Sequence, residues 1–385
     1  MMEPREPQTV NPRTGTGGPR LARSATPRAP ATGRRSLVIA MPAPPPHVTP
    51  HARATADVGA GDDWRRELAT AVRDPGELCR LLGLDPALAA AARRAAAGFP
   101  LLVPRGFVAR MRPGDPRDPL LLQVLPLPAE RGPAAGYSAD PLAEQAALAA
   151  PALVRKYDGR VLLLAAGGCA VNCRYCFRRE FPYAESGAGA AGTDAAVAAI
   201  AADASISEVI LSGGDPLLLG DDRLADLLSA LGSLPHVRRV RIHTRLPIVL
   251  PSRVTQRLVA LLAGARPACV VVVHANHPAE LDASVAAALA RLAAARTLLL
   301  NQAVLLAGVN DSVDVLRELS ERLVDLGVVP YYLHLLDRVS GTAHFEVPEP
   351  AAVALHAALR ASLPGYAVPR LAREVPGEAA KVWIA

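Results

Sequence analysis

The sequence predicts an α/β protein: a partial (β/α)6 barrel preceded by a helical N-terminal subdomain and a disordered N-terminal tail. Three observations carry this. Six short apolar runs, Val161–Ala166, Glu208–Leu211, Val237–Ile242, Cys269–Val273, Thr297–Val304 and Val328–Leu336, alternate with stretches of helical periodicity, the mark of βαβ units and a parallel sheet. Aromatic residues make up only 4% of the chain while Ala, Leu and Val abound, which suits helices and buried parallel strands better than a β-sandwich. The first sixty or so residues are rich in Pro, Arg, Ala, Thr and Gly without a sustained period, and such a segment buries too little apolar surface to offset its ordering entropy.

Residues 1–56, within a tail bounded at 1–61, hold the whole net charge of +6. Residues 1–56 carry eight arginines against Glu3 and Glu6, and the remainder balances at 34 basic and 34 acidic groups. The folded part is therefore neutral, and the basic face of a nucleic-acid binder is not expected. An arginine-rich, acid-poor start has the composition of a transit peptide. The apolar run Ser36–Met41 is too short for a signal peptide, however, so a disordered tail, or translation from Met41, is the expectation.

The subdomain over 62–150 opens with helical spacing across Asp63–Val72. A second helix starts at Asp74-Pro75 and runs to Gly83, and a third starts at Asp85-Pro86; Arg105–Pro116 and Gly132–Tyr137 read as loops. The barrel covers 151–345, with helices at Arg223–Leu234, Arg253–Ala263, Ala279–Ala295 and Val313–Leu326 between the strands, and a segment over 346–385 ends the chain. A closed eight-fold barrel would need two more units. No apolar run reaches the ~18 residues of a membrane span. Five cysteines, three of them within eight residues, do not make an extracellular disulfide framework.

Chemistry in parallel α/β folds sits at the carboxyl ends of the strands. The first strand runs straight into Gly167-Gly168-Cys169-Ala170-Val171-Asn172-Cys173-Arg174-Tyr175-Cys176. Three thiols on one loop can converge on one metal centre. A closed zinc site would want a fourth protein ligand, and Cys79 and Cys269 both lie some ninety residues away. Three thiolates suit a [4Fe-4S] cluster with one iron left open, although a zinc knuckle has the same ingredients. After the second strand, Ser212-Gly213-Gly214-Asp215-Pro216 offers two glycines that let backbone approach a ligand; alone it would be an ordinary turn.

The Cys-x3-Cys-x2-Cys loop with Tyr175 and Phe177 flanking Cys176 resembles the radical S-adenosylmethionine (SAM) superfamily. The resemblance implies that Cys169, Cys173 and Cys176 ligate the cluster, that its open iron chelates SAM, and that Ser212, Gly213, Gly214 and Asp215 contact the SAM amino group. It extends further, through Arg178-Arg179, His243-Thr244-Arg245, His274-Ala275-Asn276-His277-Pro278, Leu300-Asn301-Gln302, Tyr331–Asp337 and Tyr366–Glu374. Together these are similar to the lysine 2,3-aminomutase family. The N-terminal stretch, Asp63–Leu82 with Asp118–Val124, is similar to a short bacterial branch that serves elongation factor P, and coverage runs from about residue 62 to 381.

That family shifts an amino group by radicals, with the amine tied as an imine to pyridoxal phosphate (PLP). Lys156 and Lys381 are the only lysines in the chain. The resemblance makes Lys381, after Pro376-Gly377, the PLP anchor, Arg160 a ligand of the PLP phosphate, and Arg178 the partner of the substrate α-carboxylate. Asp337 and Glu374 match the pair of carboxylates that hold the substrate ε-ammonium, while His274 and Gln302 match residues near SAM and PLP. The implied activity is conversion of L-α-lysine to (R)-β-lysine, fed by an external electron donor in a reducing cytoplasm, with the product passed to an elongation factor P ligase. Rival readings are an aminomutase for another amino acid, a SAM-consuming enzyme without PLP, and a non-catalytic iron–sulfur module. The long zinc-binding C-terminal extension of larger relatives is absent, so any homo-oligomer must use other surfaces.

Overall fold

The computed structural model describes residues 63–385, so the expected tail lies outside the described residues. The chain begins with helices α1 (Asp63–Ala69), α2 (Pro75–Leu81), α3 (Pro86–Ala95), α4 (Arg105–Val108) and α5 (Pro119–Leu122). Three of them share one start signal. Asp74, Asp85 and Asp118 each precede a proline, and each side chain accepts from backbone N–H groups of the first turn, while the proline supplies a preset φ where no N–H is needed. Arg105–Val108, expected to be loop, is instead helical, entered through extended Pro104 and burying Phe107 and Val108.

The sheet follows. Strands β1 (Leu148–Ala150), β2 (Leu153–Tyr157) and β3 (Arg160–Ala166) lead through α6 (Ala190–Ala201) to β4 (Glu208–Gly213), then α7 (Asp221–Ser233) and β5 (Arg239–Thr244). Helices α8 (Leu246–Val249) and α9 (Gln256–Gly264) precede β6 (Ala268–Val273), and α10 (Ala283–Ala294) leads to β7 (Leu298–Val304). Next come α11 (Val313–Asp325), β8 (Val329–His334), α12 (Glu349–Ser362), β9 (Arg370–Arg373) and β10 (Val382–Trp383). The ten strands lie side by side in chain order, and β1 does not pair with β10. The barrel is open, as the sequence predicts. The six predicted strands are β3 to β8, all parallel, and β9 adds a seventh parallel strand at the far edge. Antiparallel β1, β2 and β10 flank them.

The β2–β3 hairpin turns at Asp158-Gly159, with Tyr157 opposite Arg160 and Gly159 at φ +70°, a backbone position that glycine takes without steric cost. Strand alternation then decides which side chains face inward. On β5, Val240, Ile242 and Thr244 are buried, whereas Arg241 and His243 face the barrel cavity. On β7, Leu299, Asn301 and Ala303 are buried, and Leu300, Gln302 and Val304 face the same cavity. The buried faces pack on Ile200, Leu228, Leu289 and Leu319 of the surrounding helices, within one continuous core that also takes in Trp64, Phe107 and Leu120. Among the described residues no helix is long and apolar enough to cross a membrane.

The N-terminal helices hold the cysteine loop. Asn172 N–H donates to the Leu102 carbonyl (2.9 Å) and Arg174 N–H to the Gln123 carbonyl (2.9 Å). The fully buried Arg174 guanidinium forks onto Glu130, with Nε at 2.9 Å, and reaches the Phe99 carbonyl at 2.7 Å. A buried charge with every partner supplied rigidifies such a loop, and breaking the pair would leave Glu130 uncompensated.

Candidate active site

A cavity of about 740 Å³ occupies the barrel interior and its carboxyl-end mouth, within the usual range for a cofactor or ligand site. Every residue singled out in the sequence lines it: Cys169, Cys173, Cys176, Arg160, Arg178, Ser212, Gly213, Gly214, Asp215, His274, Gln302, Asp337, Glu374 and Lys381. They arrive from different strand ends. Cys169 follows β3, Gly214 follows β4, His274 follows β6, Asp337 follows β8 and Glu374 follows β9.

Burial pushes the Cys176 thiol up to about 11, and it raises Cys169 as well, with Cys176 and Asp215 adding to the rise. For Cys169 and Cys176, binding of a metal centre must then be coupled to release of the thiol protons. The neighbouring guanidinium groups of Arg178 and Arg245 offset thiolate charge, so the donor set fits an iron–sulfur cluster.

The glycine turn is a steric requirement. Gly213 sits at φ +109°, and a Cβ on Gly214 would lie 2.0 Å from the Gly168 carbonyl oxygen. That close approach carries two backbone bonds, Gly214 N–H to Ala166 O (2.7 Å) and Asp215 N–H to Gly168 O (2.8 Å), which lock the glycine turn against the cysteine loop. Gly214→Ala must push the two loops apart. We expect it to lose most of its iron on reconstitution while β3 and β4 stay paired, read by iron analysis beside circular dichroism. Full iron retention would sink the expectation.

Asp215 faces the cavity wall, but its carboxylate is engaged within the protein. It accepts from Thr244 Oγ1 (2.7 Å) and from the backbone N–H groups of Leu217 (3.0 Å), Arg245 (2.7 Å) and Leu246 (3.2 Å). Burial raises it to about 6 despite these donors. Its part is to fix the loops after β4 and β5.

Five charged groups form an alternating chain along one wall. Arg178 donates to Glu144 through Nε (2.6 Å) and Nη2 (2.9 Å), and its Nη1 reaches Ser212 Oγ (2.9 Å). Lys156 Nζ lies 3.0 Å from Glu144 and 2.7 Å from Glu374, and Lys381 Nζ lies 2.6 Å from the other Glu374 oxygen. Burial alone would raise Glu374, but the two ammonium groups outweigh it and bring its carboxyl down to about 2. Both Glu374 oxygens are thus taken by lysines, whereas the Asp337 carboxylate accepts no hydrogen bond from the described residues. Burial pushes Asp337 up to about 7, with Lys381 and Glu374 pulling in opposite directions. The two carboxylates, paired in the sequence reading, are in different states.

Gln302 Nε2 lies 2.6 Å from His274 Nε2 and 3.5 Å from His243 Nδ1. Burial drives His274 down to about 3 and lowers His243 and His334, so this layer of imidazoles is neutral. Arg160 stacks at 4.6 Å over the Tyr157 ring across the hairpin.

Sequence reasoning missed Glu144, Arg245 and the paired role of Lys156. The Asp158-Gly159 hairpin signal would have placed Lys156 on a strand whose alternate residues face the barrel. Glu144 has no such local signal; it lies in a turn fixed by Asp140, which accepts from its N–H at 2.9 Å.

A loop offering three thiols at a strand end, locked to a glycine turn at the mouth of an open parallel barrel, defines an enzyme that works through an iron–sulfur cluster. In agreement, a family model described as "4Fe-4S single cluster domain" matches residues 158–237. The chain is 47% identical over 328 residues to L-lysine 2,3-aminomutase of Escherichia coli, covering 85% of this chain and 96% of that protein. It is 46% identical over 319 residues to the L-lysine 2,3-aminomutase of Haemophilus influenzae, covering 82% and 94%. A radical SAM methyltransferase from Sphaerobacter thermophilus is a distant structural likeness, with TM-score 0.40 and 18% identity over 57% of this chain and 68% of that one. The chain belongs to the lysine 2,3-aminomutase family of radical SAM enzymes and is an isomerase.

Proposed function

We propose that this chain converts L-α-lysine to (R)-β-lysine by a PLP-assisted 2,3-amino shift, and that the β-lysine serves an elongation factor P ligase. The observation that carries the reading is the Asp337 carboxylate, half-buried and without a hydrogen-bond donor among the described residues, lining the cavity that also holds the Arg178 guanidinium. A carboxylate at the cavity wall with no protein donor can pair with a cationic ligand, and a lysine substrate brings an ammonium to it and a carboxylate to Arg178.

The chain's residues divide the work. Cys169, Cys173 and Cys176 would hold the [4Fe-4S] cluster, and the backbone of Gly213 and Gly214 with Ser212 would meet SAM. Lys381 would anchor PLP and Arg160 would pair with its phosphate. When bound, PLP delocalises the unpaired electron beside the migrating nitrogen. Glu144 and Ser212 hold the Arg178 guanidinium plane in place. Glu374 keeps the Lys381 amine oriented, and one of its oxygens becomes free for the substrate once Lys381 engages the cofactor. The neutral His243, His274 and His334 layer offers hydrogen bonds without adding charge. An external one-electron donor reduces the cluster, in keeping with a cytoplasmic setting.

The test is an anaerobic assay of the reconstituted protein with L-lysine, SAM, PLP and a reductant, followed by mass spectrometry. β-Lysine accumulating well beyond the SAM lost supports the proposal. Conversion of SAM to 5′-deoxyadenosine without β-lysine overturns it. The recipient is tested by adding elongation factor P and its ligase, with β-lysyl rather than α-lysyl product expected.

A further inference from the structure

Arg245 ends the stretch His243-Thr244-Arg245, and the proposed function gives it no task. Asp215 fixes its backbone N–H at 2.7 Å, and the residue is 6% exposed. Guanidinium Nη2 donates to Gln123 Oε1 (2.7 Å) and Glu280 Oε2 (3.0 Å), while Nη1 donates to Cys173 Sγ (2.7 Å). The guanidinium carbon lies 5.5 Å from the Tyr175 ring centre and 5.6 Å from that of Phe107. Among the described residues, Cys173 alone of the three loop cysteines receives a guanidinium hydrogen bond.

The arrangement is over-determined. Gln123 also accepts from Asn276 Nδ2 (3.0 Å) and donates to Glu280 Oε1 (3.1 Å), and Asn276 Nδ2 reaches Tyr175 Oη at 2.7 Å. Glu280 is fully buried, so Arg245 cannot swing away without leaving a buried charge unpaired. The guanidinium therefore stays against the sulfur. Gln123 comes from the N-terminal helices and Glu280 from the loop after β6, so two separate parts of the fold hold this one donor.

We propose that Arg245 is a positioning residue that raises the reduction potential of the cluster held through Cys173. The inference rests on the reading that Cys169, Cys173 and Cys176 hold a [4Fe-4S] cluster. Hydrogen bonds to cluster sulfurs and nearby charge are among the levers that set such potentials. One-electron reduction by the external donor adds negative charge to the cluster. A fixed cationic donor on a ligating sulfur stabilises that reduced state more than the oxidised one, and no proton changes place. Glu280 moderates the effect by neutralising part of the guanidinium charge.

The experiment is a redox titration followed by electron paramagnetic resonance on the reconstituted full chain without SAM, with iron analysis alongside. It compares the wild type, E280Q and R245M/E280Q. The single variant removes the counter-charge and should move the midpoint to a less negative value. The double variant removes guanidinium and counter-charge together and should move it to a more negative one. General loosening of the loop does not produce shifts of opposite sign. A double variant with an unmoved or less negative midpoint overturns the inference. The titration reads only the loaded fraction, so partial iron loss lowers the signal without displacing the midpoint. A wild type that takes up no cluster would instead overturn the reading of the three cysteines.

Discussion

Lys381→Ala is expected to lower β-lysine formation by about 10³-fold or more, since it removes the proposed covalent anchor of PLP. The chain has two lysines, and both end at Glu374, with Lys156 at 2.7 Å and Lys381 at 2.6 Å. Lys156 is also held by Glu144 at 3.0 Å, which fixes its amine between two anions and ties it away from a cofactor. Lys381 has the single anionic partner and the freer position. The variant should lose the visible absorbance of bound PLP while its iron content and its cleavage of SAM persist. Those two readouts separate loss of the PLP anchor from collapse of the site. A Lys381→Ala protein that keeps both the absorbance and turnover, with Lys156→Ala losing them, would transfer the anchor to Lys156.

The parts of this molecule that could be read from sequence are those set by local pattern. Strands β3 to β8 are buried on the helix side and face a cavity on the other, so their apolar runs stand out between helical stretches. Strand β9, at Arg370–Arg373, is four residues long with an arginine at each end, and its run gives no comparable contrast. Strand β2 is interrupted by Arg155, which is exposed and paired with Asp203, and by Lys156, which faces the cavity. The site was legible as an assembly because strand ends and alternation bring residues to one mouth. The state of each group was not. Asp215, Asp337 and Glu374 are each a lone carboxylate in sequence, yet one caps backbone N–H groups, one is unpartnered among the described residues and one sits between two ammonium groups. Partner choice depends on what the tertiary structure places within hydrogen-bond reach, and Glu144, the partner of both Arg178 and Lys156, comes from a turn ahead of the barrel.

Asp337→Asn separates substrate recognition from stability, and the two effects should have opposite signs. Burial raises the Asp337 carboxyl to about 7, against about 3.9 in an unfolded chain. Between those values the folded state holds a proton that the unfolded state has released, so this group makes stability fall as pH rises from about 4 to about 7. Above pH 7 the full penalty is present, on the order of a few kcal/mol, and the asparagine variant escapes it. Its melting temperature should therefore exceed that of the wild type at pH 8.5 by more than at pH 6. Substrate binding runs the other way. In the proposed reading the lysine ammonium needs the ionised carboxylate, so the wild-type KM for lysine should rise as pH drops below about 7, while Asp337→Asn should bind lysine weakly at every pH. The imidazoles do not compete for this assignment, since His274 is held near 3 and burial lowers His243 and His334. Asp215, at about 6, is the one other group nearby with a raised carboxyl, and any pH dependence surviving in the variant belongs to it. A wild-type KM that stays flat from pH 6 to 8, or a variant no more stable at pH 8.5, would show that Asp337 is already ionised and paired, and would move recognition of the ammonium to Glu374.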